Sequence, residues 1–420
     1  MTGLRNLIRI LLLRALSYAG NVTMALFSLR KHHANRTQPR IVLIDPGHLG
    51  SIVLTTPVPH VLKTCIPDAH VTMLVGNWSQ EVARRHADVD ELLVYELPDR
   101  RQGTQSPLRS WLLMLRLAYR LRKERYDVGI NLRHGFWWGS ALLFLACIPY
   151  RVSWATQAGA PFLNVPVRPA REHLTLSYLR LASAALQALG YAPLEEPYTA
   201  ERYPLIMFQP TPEEQEWVNR RLEEEGITPD VHAVMIHPGT GGAVKLWKTS
   251  SWAACATWLA RDPWPPSLRF VLTGTEHERS MLEEVARASA APTSIITTET
   301  VGQLAALLQR ASLVMGVDSG PLHLAVAQGV PTVRIYGPTD AETFGPWGEA
   351  ARHSVITSTY RCPSCPRIPC NRLNIPDDKL QAHPCVKMVS EQPVFAAACK
   401  HLAPLLSSKQ REPVVYRRKQ

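Results

Sequence analysis

The chain has 420 residues, 46% hydrophobic and 19% charged, enough for two or three domains each with its own core. Its 34 prolines and 23 glycines are spread along the chain, which excludes a low-complexity or collagen-like protein. The net charge of +11 sits at the ends: residues 1–40 carry +7 and residues 406–420 carry +4, so the body between is neutral. A neutral body without a base-stacking motif argues against nucleic acid as a partner, and two basic ends suit an anionic membrane surface. Leu4–Leu29 reads as an apolar helix in which Arg14 and Arg30 bracket fifteen uncharged residues. As a helix those span about 22 Å, short of the roughly 30 Å hydrocarbon core. The expectation is a helix lying in the membrane interface; packing on the body or a partner, or a signal or true span, are the alternatives. No small-residue cleavage site follows. Residues 1–39 are thus expected to be a basic apolar helix and linker.

The first body domain is expected over residues 40–200. Ile41–Ile44 is a buried strand, followed by the turn Asp45-Pro-Gly-His-Leu-Gly-Ser51 with its two glycines. Ile52–Thr64 is expected to be one helix, although Pro57 and Pro59 lie in its first two turns. Strands are expected at His70–Val75, Glu91–Tyr95 and Tyr126–Leu132. Helices are expected at Gln80–His86, Pro107–Arg125, Gly139–Ala146 and His173–Leu189. In Pro107–Arg125, Leu108, Leu112, Leu115 and Tyr119 recur at helical spacing with arginines between them. Alternating strands and helices indicate a parallel sheet covered on both faces. Gly190–Pro212, rich in Pro and Tyr, reads as the linker between domains.

The second body domain is expected over residues 201–405, with a basic tail at 406–420. Thr211 caps a helix with Pro212 at its first position. The strand Ala233–His237 leads into Pro238-Gly-Thr-Gly-Gly-Ala-Val-Lys245, whose glycines can offer backbone N–H groups to a phosphate beside a lysine. Arg269–Thr273 is a strand leading to Gly274-Thr-Glu276, Val301–Gln309 a helix, and Thr332–Tyr336 a strand leading to Gly337-Pro-Thr-Asp340. The apolar run Ala311–Met315 is a strand, and Leu322–Gln328 a helix. Between them, Asp318-Ser319-Gly320 sits at a strand-to-helix turn, where open α/β sheets bind ligands and a helix N-terminus favours phosphate. The plainer reading is a helix capped by Asp318 or Ser319. Four such turns on one sheet edge describe a nucleotide site.

The pieces IVLIDPGHLGSIVLTTP, YDVGINL, HPGTGGAVKLW, VLTGTEHE, VMGVDSGPLHLA and IYGPTD resemble glycosyltransferase family 9, the bacterial ADP-heptose:lipopolysaccharide heptosyltransferase-like enzymes. The resemblance runs from about Arg40 to about Ser390. It implies an α/β fold of the GT-B class: two Rossmann-like parallel-sheet domains facing a cleft, the first on the acceptor side and the second binding the donor. It implies inverting transfer of a heptose-like sugar from a nucleotide-diphosphate sugar to a lipid-linked or cell-envelope glycan acceptor, with no essential metal. With the basic N-terminal helix, the expectation is a peripheral enzyme on the cytoplasmic face of the cell membrane. Carried over by position, Lys245 neutralises the diphosphate leaving group, and Thr240 and Gly241 line the phosphates. Glu276 holds the ribose, while Asp318, Ser319 and Gly320 frame the diphosphate and sugar. His323 falls on a matching histidine; read from the residues alone it is equally an ordinary core histidine.

One position departs from the family pattern. Where the resemblance places a general-base aspartate, Gly50-Ser51-Ile-Val-Leu-Thr-Thr-Pro57 has Ser51. An unassisted serine does not take a proton from an acceptor hydroxyl near neutrality, and general-base help is worth about 10²–10⁴ in rate. Three readings follow: His48 or Asp45 in the same loop replaces the base, the base or acidity comes from elsewhere, or the protein binds a sugar nucleotide and transfers weakly or not at all. Finally, Cys362, Cys365, Cys370 and Cys385 cluster after the last expected strand. A leading CxxC with two further cysteines suits a structural zinc; free thiols, or a disulfide or iron–sulfur role, are the alternatives.

Overall fold

A computed structural model describes residues 38–97, 107–261 and 268–407. The expected N-terminal helix and most of the basic tail lie outside the described residues. The chain divides into two compact units, Met1–Phe208 and Gln209–Gln420.

In the first unit the strands are β1 (Arg40–Asp45), β2 (His70–Gly76), β3 (Glu91–Tyr95), β4 (Val128–Asn131), β5 (Tyr150–Trp154) and β6 (Val165–Val167). They form one parallel sheet in the order β3-β2-β1-β4-β5-β6. In the second unit β7 (His232–His237), β8 (Leu268–Gly274), β9 (Thr293–Thr297), β10 (Ala311–Val317), β11 (Thr332–Tyr336) and β12 (His353–Thr357) form another, ordered β12-β11-β10-β7-β8-β9. Numbered within its own unit, each sheet has the doubly wound order 3-2-1-4-5-6. The strand order therefore reverses between β1 and β4 in one unit and between β7 and β10 in the other. Loops leaving the carboxyl ends at that reversal diverge to opposite faces and open a crevice. The central strands are apolar without alternation, as strands covered by helices on both faces must be; Ile41, Val42, Leu43 and Ile44 are all fully buried.

The helix expected over Ile52–Thr64 is two helices, Leu49–Thr55 and Pro57–Cys65. Pro57 has no N–H to continue the first, and it starts the second, where that N–H would go unpaired anyway. β5, β6, β9 and β12 carry no expectation from the sequence. They are short, and β6 is a half-exposed Val-Pro-Val. The helix after β10 begins at Gly320, two residues before the apolar run suggests. Thr211 caps the helix Pro212–Glu224, as expected, and the structure adds a full capping box with Glu214.

The helix Pro107–Glu124 forms as its periodicity predicts, but the repeating apolar residues are not its core face. Met114, Leu117, Ala118 and Leu121 are buried against the sheet. Leu108, Trp111, Leu112, Leu115 and Tyr119 are 44–68% exposed.

Candidate active site

The loops at the second unit's reversal bring together residues far apart in the chain. Gly316 on β10 leaves no room for a Cβ, which would meet Leu322 and the carbonyl oxygen of His237. The ends of β7 and β10 therefore lie close. Lys245, in the loop after β7, donates from Nζ to the Asp318 carbonyl at 2.6 Å and to Asp318 Oδ2 at 3.2 Å. The lysine and aspartate side chains are only 15% and 8% exposed. Asp318 stands at the N-terminus of the helix Gly320–Ala327, where its charge is also favoured by the helix dipole.

A second cation adjoins the arrangement through His323. Arg334 on β11 is wholly buried, with Nη1 3.3 Å from His323 Nδ1 and Nη2 on the Leu322 carbonyl. A guanidinium can only donate, so His323 Nδ1 accepts and the ring proton sits on Nε2, 3.8 Å from Asp318 Oδ1. Burial, and then Arg334, lower the His323 pKa to about 4, so the ring is neutral near pH 7. Burial alone would raise the Asp318 pKa; Lys245, followed by His323, overcomes this and holds it well below the usual carboxylate range. The result is an ionised carboxylate clamped between a cation and a neutral imidazole. Arg334 escaped the sequence reading, although a lone charge in the apolar strand Thr-Val-Arg-Ile-Tyr was its signal.

The other expected donor-site residues are on the loops of the same unit. The Thr240 and Ser319 hydroxyls are buried and have no hydrogen-bond partner; Ser319 occupies the helix cap position without making the capping bond. Buried hydroxyls are ordinarily satisfied, so these two have capacity to spare for a ligand. A Cβ at Gly241 would meet nothing within 4 Å, leaving the backbone open to approach. Glu276, after β8, is bound to Arg279 and accepts from Thr297 Oγ1 at 3.0 Å. Its neighbour Glu278 caps Thr275 and fills the space beside Gly239, where a Cβ would sit 1.9 Å from Glu278 Oε1.

In the first unit, the loop after β1 is tightly held. Gly47 N–H donates to Asp45 Oδ1 at 2.7 Å, and the Gly47 carbonyl accepts from Trp78 Nε1 at 2.9 Å and from Ser79 Oγ. Asp45 is fully buried. Burial raises its pKa to about 6, and Arg133 opposes the rise. Arg133, just past β4, also donates to Ser51 Oγ at 3.3 Å. A hydroxyl that accepts a hydrogen bond from a guanidinium is a poorer base. His48 is half-exposed, with its ring 5.5 Å from that of Trp78. Of the expected base candidates, His48 and Ser51 are half-buried and Asp45 is fully buried. Arg133 and Trp78 were not singled out by sequence, because neither belongs to a recognisable spacing.

The cysteine segment packs into the second unit's core, with Cys362, Cys365 and Cys385 buried. One trio of its side chains, Cys362, Cys365 and His383, has ligand atoms within 4.8 Å of one another. Cys365 Sγ is 3.3 Å from His383 Nδ1. Cys385 is next to Cys362, and burial together with that neighbour pushes its thiol up to about 12. His383 was not among the expected ligands. It lies two residues before Cys385, in a spacing the cysteine pattern does not include.

The family profile for glycosyltransferase family 9 (heptosyltransferase) matches residues 114–375. The chain belongs to glycosyltransferase family 9. Lipopolysaccharide heptosyltransferase 3 of Escherichia coli K12 is 25% identical over 304 residues, covering 71% of this chain and 83% of that one. The crystal structure of a family 9 glycosyl transferase from Veillonella parvula superposes with a TM-score of 0.68 at 23% identity, covering 87% of this chain and 98% of that one. The E. coli ADP-heptose lps heptosyltransferase II gives a TM-score of 0.61 at 18% identity, covering 88% and 99%. This family 9 chain is accordingly a glycosyltransferase, and its two six-stranded parallel sheets are those of the GT-B fold.

The buried Asp45 makes a prediction about stability. Its pKa is raised in the folded state, so its favourable contribution is full below the unfolded value of 3.8 and lost as pH rises through about 6. Asp45→Asn removes the cost of ionisation. It is expected to stabilise the family 9 enzyme by up to roughly 3 kcal/mol at pH 8 and hardly at all at pH 4. Urea unfolding at both values checks this; an equal effect at the two contradicts it.

Proposed function

We propose that this enzyme transfers a heptose-like sugar, with inversion, from an ADP-type nucleotide-diphosphate sugar to a lipid-linked acceptor of the lipopolysaccharide kind. The buried Lys245–Asp318 pair at the strand-order reversal carries the reading, because it holds a cation where a diphosphate meets a helix N-terminus. The names of the relatives support the donor and acceptor classes.

In this reading the acceptor oxygen attacks the anomeric carbon from the side opposite the diphosphate. The carbon–oxygen bond to the diphosphate breaks, and its electron pair leaves with the nucleotide. Negative charge grows on the leaving phosphate, and Lys245 with the first-turn N–H groups of the helix Gly320–Ala327 stabilises it there. Thr240, Gly241, Ser319 and Gly320 line the phosphates, and Glu276 takes the ribose. Asp318 places the lysine, and His323 holds Asp318 from the other side. His48 takes the acceptor proton; Asp45, closed to solvent, fixes the loop that carries it.

The reaction as read needs no metal ion. A structural zinc is proposed for the cysteine segment, held by Cys362, Cys365 and His383 with Cys370 or Cys385 as the fourth ligand. The 3.3 Å Cys365–His383 separation suits two neighbouring ligands of a tetrahedral zinc. The enzyme is placed on the inner face of the cell membrane, with residues 4–29 at the lipid surface. Among the described residues, no helix is long and apolar enough to cross a membrane.

Transfer assays with ADP-heptose and a deacylated core acceptor test the chemistry. His48→Gln is expected to lower kcat by about 10²–10⁴ with donor KM little changed. A wild type without turnover, gaining it on Ser51→Asp, would instead support the weakly active sugar-nucleotide-binding reading. For the metal, protein purified without chelator is expected to hold about one zinc per chain, and Cys362→Ser to lose it. Elemental analysis finding no metal in the wild type would refute that site.

A further inference from the structure

The transfer chemistry read above does not use the exposed stripe on the helix Pro107–Glu124. At about 100° per residue, Leu108, Trp111, Leu112, Leu115 and Tyr119 occupy one arc roughly 100° wide. The buried face borders it on one side. On the other side lie Arg109, Arg116, Arg120 and Lys123. The helix holds five basic residues against a single acid, Glu124. Arg109 pairs with Glu96 and Arg120 with Glu91, yet counting both acids still leaves the surface positive.

The stripe also has a definite place in the fold. The helix runs between β3 and β4, so its first turn lies at the carboxyl edge of the sheet, the edge that carries Asp45 and Arg133. There the Trp111 ring lies 6.2 Å from that of Trp137, which opens the helix after β4. An apolar stripe, an indole at its end and a bordering row of cations are what an anionic lipid surface takes up.

We propose that this helix face docks on an anionic phospholipid bilayer and sets the first unit's loop edge against the lipid. Residues 4–29 of the same chain are the competing occupant. They carry Arg5, Arg9 and Arg14 and no acid. Two basic apolar segments repel one another, whereas both complement an anionic bilayer. The proposal takes its purpose from the lipid-linked acceptor read above, but its test needs no turnover.

Hydroxyl-radical footprinting of the full chain reads the stripe directly. With vesicles of phosphatidylcholine and phosphatidylglycerol at 7:3, modification of Trp111, Leu112, Leu115 and Tyr119 is expected to fall about threefold or more. With phosphatidylcholine alone, or at 0.5 M salt, it is expected to change little. Leu112→Glu/Leu115→Glu is expected to weaken partitioning onto the anionic vesicles about tenfold. ADP binding, measured on the same samples, reports separately on the donor site. An unchanged footprint on anionic vesicles, or unchanged partitioning of the double variant, overturns the proposal. So does protection before vesicles are added: at all protein concentrations it assigns the stripe to residues 4–29, and if it grows with concentration it assigns it to a second copy.

Discussion

An ammonium and a carboxylate buried together, Lys245 Nζ and Asp318 Oδ2 at 3.2 Å, tie the loop after β7 to the turn after β10. Such a pair is poor value as a source of stability, since desolvating two charges offsets most of their attraction. Breaking it by removing one partner is nonetheless costly, about 3–5 kcal/mol, because the other charge stays buried alone. The pair is therefore best understood as a device for holding a cation in place. Arg334 holds the neutral His323, His323 faces the carboxylate, and the carboxylate fixes the lysine. The loop after β7, the turn after β10 and Arg334 on β11 thus share one constraint, which depends on the order in which those strands lie side by side.

The two units repeat one topology and put different chemistry at the same point in it. At the second unit's reversal the carboxylate is ionised and a cation is presented beside a helix N-terminus. At the first unit's reversal, burial raises the Asp45 carboxyl, and Arg133 is divided between it and the Ser51 hydroxyl. His48 is half-buried there, beside the Trp78 ring, and in the proposed reading it is the group that meets the acceptor. The proposed glycosyl transfer calls for both kinds of chemistry, charge stabilised on a leaving group and a proton removed from an acceptor.

Much of this was legible in the sequence where the pattern was local. The unbroken apolar runs of β1, β7 and β10 marked a covered parallel sheet, and the Gly-rich and Asp-Ser-Gly turns marked its ligand-binding edge. What was not legible depended on contacts across the fold. Arg334 and Arg133 become site residues only once strand order places them beside His323 and Ser51. His383 joins Cys362 and Cys365 through chain folding that the cysteine spacing does not encode. The helix Pro107–Glu124 misleads in a more instructive way, because its clearest periodicity belongs to the exposed face. A second apolar set, Met114, Leu117, Ala118 and Leu121, interleaves with the first and takes the core. Periodicity identifies a helix; it does not say which of two apolar stripes the sheet will cover.

Calorimetric titration of ADP and AMP into the wild type and into Lys245→Met tests the central claim most directly, with circular dichroism confirming that the variant is folded. If Lys245, held by Asp318, receives the donor diphosphate, the wild type binds ADP more tightly than AMP. The variant then loses about tenfold or more in ADP affinity and little in AMP affinity. Equal ADP affinity in a folded variant, or no preference for ADP in the wild type, would contradict the account.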